Sequence, residues 1–144
     1  MIPQDEDKLL SRARALCDAM EDEDDWLKRE VLSHAGNRWA FSVIYALKEG
    51  GKLRHAELRR KLDGVTQRML TRTLRQLERD GLILRLDHQE VPPRVEYELT
   101  SLGEGFLLHI IPMWLWIFEH AGDFRTAREA HLVASSERRD GSLP

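Results

Sequence analysis

Arg68, Thr71, Arg72, Arg75 and Arg79 recur at helical spacing within one polar segment. At about 100° per residue they fall within one arc of about 100°, while Leu70, Leu74 and Leu77 gather within about 60° on the far side. Guanidinium groups are planar forks whose donors match phosphate oxygens and the guanine edge exposed in a major groove. Such a stripe can hold nucleic acid. It can equally be a solvated face paired with acids such as Glu78. Other chemistries find less support. His109, His120 and His131 are eleven residues apart, a rise of about 16 Å on a helix, so no two can share a metal. Cys17 is the single cysteine, and no CxxC or Cys/His spacing suggests zinc. No Ser/His/Asp or Cys/His set sits on a recognisable scaffold, and no Gly-rich phosphate loop occurs. Neither an enzyme nor a metal or cofactor site is expected.

The stripe has to be positioned, and the flanking sequence suggests how. Thr66 is a good N-cap for a helix running to about Arg79, and Gly81 stands where a left-handed residue ends it. Before it lie a short helix around His55–Leu62, with Ala56, Leu58 and Leu62 facing inward, and a turn at Asp63-Gly64. After it, Leu82–Leu86 and Arg94–Leu99 alternate as strands around the loop Asp87–Pro93. Helices are expected upstream at about 6–20, at Trp26–Ala35 and at Arg38–Glu49, the last burying Trp39, Ile44 and Leu47. A last long helix opens at Thr100-Ser101, where Ser101 and Glu104 have capping-box spacing. A short helix, a tight turn, a second helix and a two-stranded hairpin are the parts of a winged helix-turn-helix. That placement favours DNA for the arginine stripe.

Charge distribution agrees with this reading. The 144 residues, 42% hydrophobic and 33% charged, suit one globular domain with a net charge of −3. Residues 1–31 carry ten Asp/Glu against five Lys/Arg, whereas residues 52–94 carry eleven Lys/Arg against six Asp/Glu. The overall charge therefore decides nothing about nucleic acid, and the local distribution does.

The segment from Gly36-Asn37-Arg38-Trp39 to Gly103 resembles the HxlR-type winged helix-turn-helix transcriptional regulators. The most specific piece is Pro92-Pro93-Arg94-Val95-Glu96-Tyr97-Glu98-Leu99-Thr100-Ser101-Leu102-Gly103, similar to that family's wing, second strand and helix start. Leu74-Arg75-Gln76-Leu77-Glu78-Arg79-Asp80-Gly81-Leu82 is similar to the end of its recognition helix, and Met69-Leu70-Thr71 to the middle. The resemblance implies sequence-specific binding of duplex DNA and helices on either side that form a homodimer. This chain departs at His55, where the family has an aromatic Phe, and at Gly36-Asn37-Arg38-Trp39, where the family usually has Gly-Gly-Lys-Trp. Redox-sensing members resemble one another in a cysteine about 13 residues before the Trp. Asp25-Trp26 occupies that region here, and Cys17 lies in acidic surroundings unsuited to a thiolate.

Phe106–Phe118 is apolar at eleven of 13 positions, short of the roughly 20 residues that span a bilayer. A helix apolar nearly all round must be covered on every side. A dimer interface is the simpler cover and a ligand cavity the alternative. Pro112 is expected to bend the helix.

The expected fold is mainly α with a small β-hairpin: a winged helix-turn-helix core at 36–100. N-terminal helices at 1–35 and a C-terminal helix or helices at 101–134 flank it for dimerisation, followed by a polar tail at 135–144. Thr66, Gln67, Arg68, Thr71, Arg72 and Arg75 are the candidates for the major groove, and Arg85, His88 and Arg94 for contacts from the wing. Asp87 and Glu90 in the wing loop oppose the latter. Leu9, Leu16, Phe106, Ile110, Met113, Trp114 and Ile117 are the candidates for the dimer interface. The expected partners are double-stranded DNA and a second copy of the chain. The alternative is a protein–protein module whose arginine stripe meets an acidic partner. With no basic n-region before an apolar run, the chain is expected to lack a signal peptide and to be cytoplasmic, nucleoid-associated when bound.

Overall fold

The computed structural model describes residues 5–141. Met1–Gln4, which enter the expectation about a signal peptide, and residues 142–144 of the expected tail lie outside the described residues. The elements are α1 (Glu6–Ala19), α2 (Asp22–Gly36), α3 (Arg38–Gly50), β1 (Leu53–Arg54), α4 (His55–Lys61), α5 (Gln67–Arg79), β2 (Ile83–Asp87), β3 (Val95–Leu99), α6 (Ser101–Glu119) and α7 (Ala121–Asp140).

Helix α3 forms the centre. Asn37 Oδ1 accepts from the backbone N–H of Trp39 (3.0 Å) and Ala40 (3.1 Å), satisfying two of the donors that every helix start leaves open. Ala40, Val43, Ile44 and Leu47 then share one buried face. Packed with them are Leu58 of α4, Leu70, Leu74 and Leu77 of α5, Leu82 just before β2, Ile83 of β2, and Leu107 of α6. The leucine seam of α5 thus fixes that helix to the core and turns its arginines outward.

Local chemistry sets both ends of α5. Thr66 Oγ1 accepts from Met69 N–H at 3.1 Å. At the other end Leu82 N–H reaches Leu77 O and Gly81 N–H reaches Glu78 O, both at 3.0 Å. This crossed pair requires a left-handed residue, and Gly81 supplies it with φ of +73°. Thr100 then ties the sheet to α6: its hydroxyl donates to Gly81 O at 2.6 Å and accepts from Gly103 N–H at 3.0 Å. Gly103 is packed so closely that a Cβ there would collide with the carbonyl of Leu82.

Several boundaries differ from the sequence expectation. The sheet has three antiparallel strands in the order β1-β3-β2, because Leu53–Arg54 adds to the hairpin opposite Tyr97 and Glu96. The hairpin strands each begin one residue later than expected. Helix α2 starts at Asp22 rather than Trp26, with Asp22, Glu23, Asp24 and Asp25 in its first turn, where negative charge meets the positive end of the helix dipole. Thr100 caps α6 in place of Ser101. The long C-terminal helix divides at His120, and α7 continues to Asp140, so residues 135–140 of the expected tail are helical. Ala56 is exposed and Trp39 only half-buried.

By length and composition α6 could cross a membrane. Its first half instead belongs to the core, with Gly103, Leu107 and Ile110 buried. Ile110, expected at the dimer interface, is therefore covered within its own protomer, whereas Phe106 packs against the core and stays half-buried.

Candidate nucleic-acid interface

Arg68, Arg72 and Arg75 project from α5 into solvent, and Thr66 and Gln67 at its start are exposed as well. Thr71 is half-covered because α4 lies beside it, with His55 Nε2 3.3 Å from Thr71 Oγ1. Burial and the neighbouring Arg59 cation hold the His55 imidazole below its usual pKa. Gln67, Arg68, Thr71, Arg72, Arg75 and Gln76 line one continuous open cleft. The structure brings these groove candidates together on a single face.

Ion pairing sorts the cations into two groups. Among the described residues, Arg68, Arg72 and Arg75 have no acidic group within 4 Å, and neither do Arg54, Arg59, Arg60 and Lys61 beside them. Unpaired guanidiniums on one face keep their full field for an external anion. The α4 cations were not singled out from sequence, although the run Arg59-Arg60-Lys61 was the available signal. Their position beside the start of α5 suits contacts to a phosphate backbone.

The fourth arginine of the stripe behaves differently. Arg79 Nε lies 2.9 Å from Asp80 Oδ1, and its Nη2 lies 3.4 Å from Glu30 Oε2. Asp80 Oδ2 also lies 2.6 Å from Nε2 of His34, the two side chains being 8% and 5% exposed. The Arg79 hydrogen bond, followed by that of His34, holds the Asp80 carboxyl below its usual value despite burial. This cluster fastens α2 to the end of α5. No local signal links residues 34 and 80, so sequence reading missed it.

Replacing Asp80 by Asn is expected to cost about 2 kcal/mol of stability, the scale of hydrogen bonds to a charged group. A carboxyl with a depressed folded-state pKa stabilises above its unfolded value, and that contribution is lost as pH falls through the folded value. Urea melts from neutral pH to about pH 3 should therefore show the gap between wild type and Asp80→Asn closing. A gap that stays constant would contradict the assignment.

The wing candidates come together but are engaged. Arg94 Nη2 lies 2.9 Å from Glu90 Oε1, and Arg85 Nη1 lies 3.8 Å from Asp87 Oδ2. His88 Nε2 lies 2.8 Å from Glu96 Oε1, yet out of line for a hydrogen bond. Each would have to exchange an acid for a phosphate.

A second surface is apolar. Six consecutive residues of α6, Met113–Phe118, are each 45–71% exposed. Phe41, Trp114 and Phe118 stack with centroids 6.0 Å apart at each step, and Trp116 meets Phe124 of α7 edge-on at 5.8 Å. Leu9 and Leu16 of α1 are also exposed, and α1 buries none of its residues. His109 Nδ1 and His120 Nδ1 each bond a carbonyl four residues earlier, the ordinary behaviour of surface histidines on a helix.

A capped helix with unpaired arginines outward, a short cationic helix beside it and a following hairpin define a winged helix-turn-helix DNA-binding protein. Residues 34–123 match the model of the HxlR-like helix-turn-helix family, and the chain belongs to that family. It is 44% identical over 89 residues to YtfH of Escherichia coli K12, an uncharacterized HTH-type transcriptional regulator, covering 62% of this chain and 70% of that one. Among solved structures it is similar to the reduced redox regulator HypR, with 36% identity, TM-score 0.57, and 66% and 93% of the two chains covered. It is also similar to diamide-treated YodB of B. subtilis, with 26% identity, TM-score 0.59, and 69% and 94% covered. The protein is a DNA-binding transcriptional regulator.

Proposed function

We propose that the protein binds duplex operator DNA sequence-specifically as a homodimer, with α5 of each protomer in a major groove. The unpaired face of Arg68, Arg72 and Arg75, held outward by the leucine seam, carries this reading. Thr66, Gln67 and Thr71 at the leading end of α5 read base edges with Arg68 and Arg72, since helix-turn-helix proteins insert that end. Arg54, Arg59 and Arg60 meet the backbone, and Arg85, His88 and Arg94 act from the wing.

The dimer interface comprises Leu9 and Leu16 of α1 with Met113, Trp114 and Ile117 of α6. So large an exposed apolar surface is characteristic of a protein interaction face. The N-terminal helices and α6–α7 thus serve association, and the winged core between them serves DNA. The site of action is the cytoplasm, on the nucleoid when bound. The protein does no catalysis in this reading.

Titration of a random duplex pool at rising salt tests the DNA reading. Affinity should fall with a log–log slope of about −0.9 for each phosphate contact. Weak binding without salt dependence would overturn it.

A further inference from the structure

We propose, resting on the DNA-binding reading, that the recess between α4 and the leading end of α5 seats a backbone phosphate of the operator, and that His55 takes up a proton as it fills. Operator binding then strengthens as pH falls. His55, Ala56, Arg59 and Arg60 of α4 and Gln67 of α5 line the recess. Arg59, Arg60 and Gln67 are exposed, and His55 is half-buried between them and α5. Two guanidiniums, an amide NH₂ and a protonated imidazole all donate to an anionic oxygen.

The charges around His55 make it responsive to that anion. Among the described residues no carboxylate lies within 4 Å of its ring. Arg54 of β1 and Arg68 and Arg72 of α5 are further unpaired cations of the same face. The acids of the surrounding elements are engaged elsewhere. Glu57 of α4 accepts from Arg54 N–H at 3.1 Å, Glu98 of β3 lies 3.9 Å from Lys52, and Glu96 lies 2.8 Å from His88. On α3, Lys48 lies 2.9 Å from Glu104, and Glu49 bonds Tyr45. In the free protein burial first, and the Arg59 cation second, favour the neutral ring. A phosphate in the recess neutralises Arg59 and places negative charge beside the imidazole, which favours the protonated ring. Duplex DNA carries one charge per about 1.7 Å of its axis, and that field outweighs the added burial.

Thr71 permits the change. His55 Nε2 lies 3.3 Å from Thr71 Oγ1, and a hydroxyl both donates and accepts. The contact therefore survives in either charge state, and the ring gains a proton without leaving the helix that enters the groove. The sign follows from linkage. A group whose pKa is raised by a ligand takes up a proton on binding, so affinity rises as pH falls through the value in the complex. The rise levels off below the lowered value of the free protein.

Fluorescence anisotropy of the full chain on one duplex selected from a random pool, at fixed salt from about pH 8 to about pH 6, tests the proposal in the range where imidazoles change charge. The ratio of wild-type to His55→Gln affinity should rise about tenfold over that range. Taking the ratio cancels the effect of His88 and of every other group the two chains share. Proton NMR of the His55 ring in the wild type should show its pKa raised by the duplex, whether or not the variant folds. A ratio constant with pH, or a His55 pKa unmoved or lowered by the duplex, would overturn the proposal and leave DNA binding intact. A wild type that binds no duplex at any pH would bring down the DNA-binding reading and this proposal with it.

Discussion

Alanine at Arg68 or Arg72 is expected to weaken operator binding by about 1–3 kcal/mol at each position, roughly 5- to 150-fold. Each change should also relax base preference at one position of each half-site. Both residues lie in the leading half of α5, exposed and free of acidic partners, so their donors reach DNA without first breaking an ion pair. Where one of them touches only phosphate, affinity should fall equally on all sequences and the salt slope should shrink by about one. Arg79→Ala should hardly affect DNA, because Glu30 and Asp80 already hold that guanidinium. Its removal should appear as lost stability instead. Fluorescence anisotropy on operator and scrambled duplexes separates these cases. Equal small losses at all three positions would mean a merely solvated basic face.

Trp116→Glu is expected to convert a dimer into monomers and to lower operator affinity about 10²–10⁴-fold by uncoupling the two half-sites. Trp116 is 52% exposed in the protomer, in the middle of the apolar run of α6. Its substitution therefore disturbs association more than the core. A carboxylate buried there without a partner would cost several kcal/mol. Val91→Glu on the wing loop, fully exposed, serves as the control and should leave the oligomeric state unchanged. Sedimentation equilibrium at micromolar concentration reads the result. A monomeric wild type would contradict the proposed interface.

Helix α5 was legible in the sequence because every signal for it is local: the Thr66 cap, the leucine seam, the arginine arc and Gly81 at the stop. The rest depended on distant partners. Two residues are too few to show alternation, so β1 had no pattern of its own and exists only because β3 offers an edge. Ser101 and Thr100 were both plausible caps for α6. The bond from Thr100 to Gly81 O, nineteen residues earlier, favours the latter. The apolar excess of α6 was visible, but its division into a buried first half and an exposed second half required knowing where α3 lies. In the wing, the acids Asp87 and Glu90 were visible beside Arg85 and Arg94, whereas the approach of His88 to Glu96 depends on the strand register that sets Leu86 opposite Glu96. The Glu30–Arg79–Asp80–His34 cluster joins α2 to α5 across nearly fifty residues and left no trace in spacing.

In the proposed complex α5 enters the major groove on both half-sites of a two-fold operator. Guanine N7 lies in that groove, so dimethyl sulfate protection on a site selected from random duplexes tests it most directly. Wild type should protect two clusters of guanines about one helical turn apart, and the Arg68→Ala/Arg72→Ala double variant should lose both clusters. Bound DNA in which every guanine N7 reacts as in free duplex would rule out entry of α5 into the major groove.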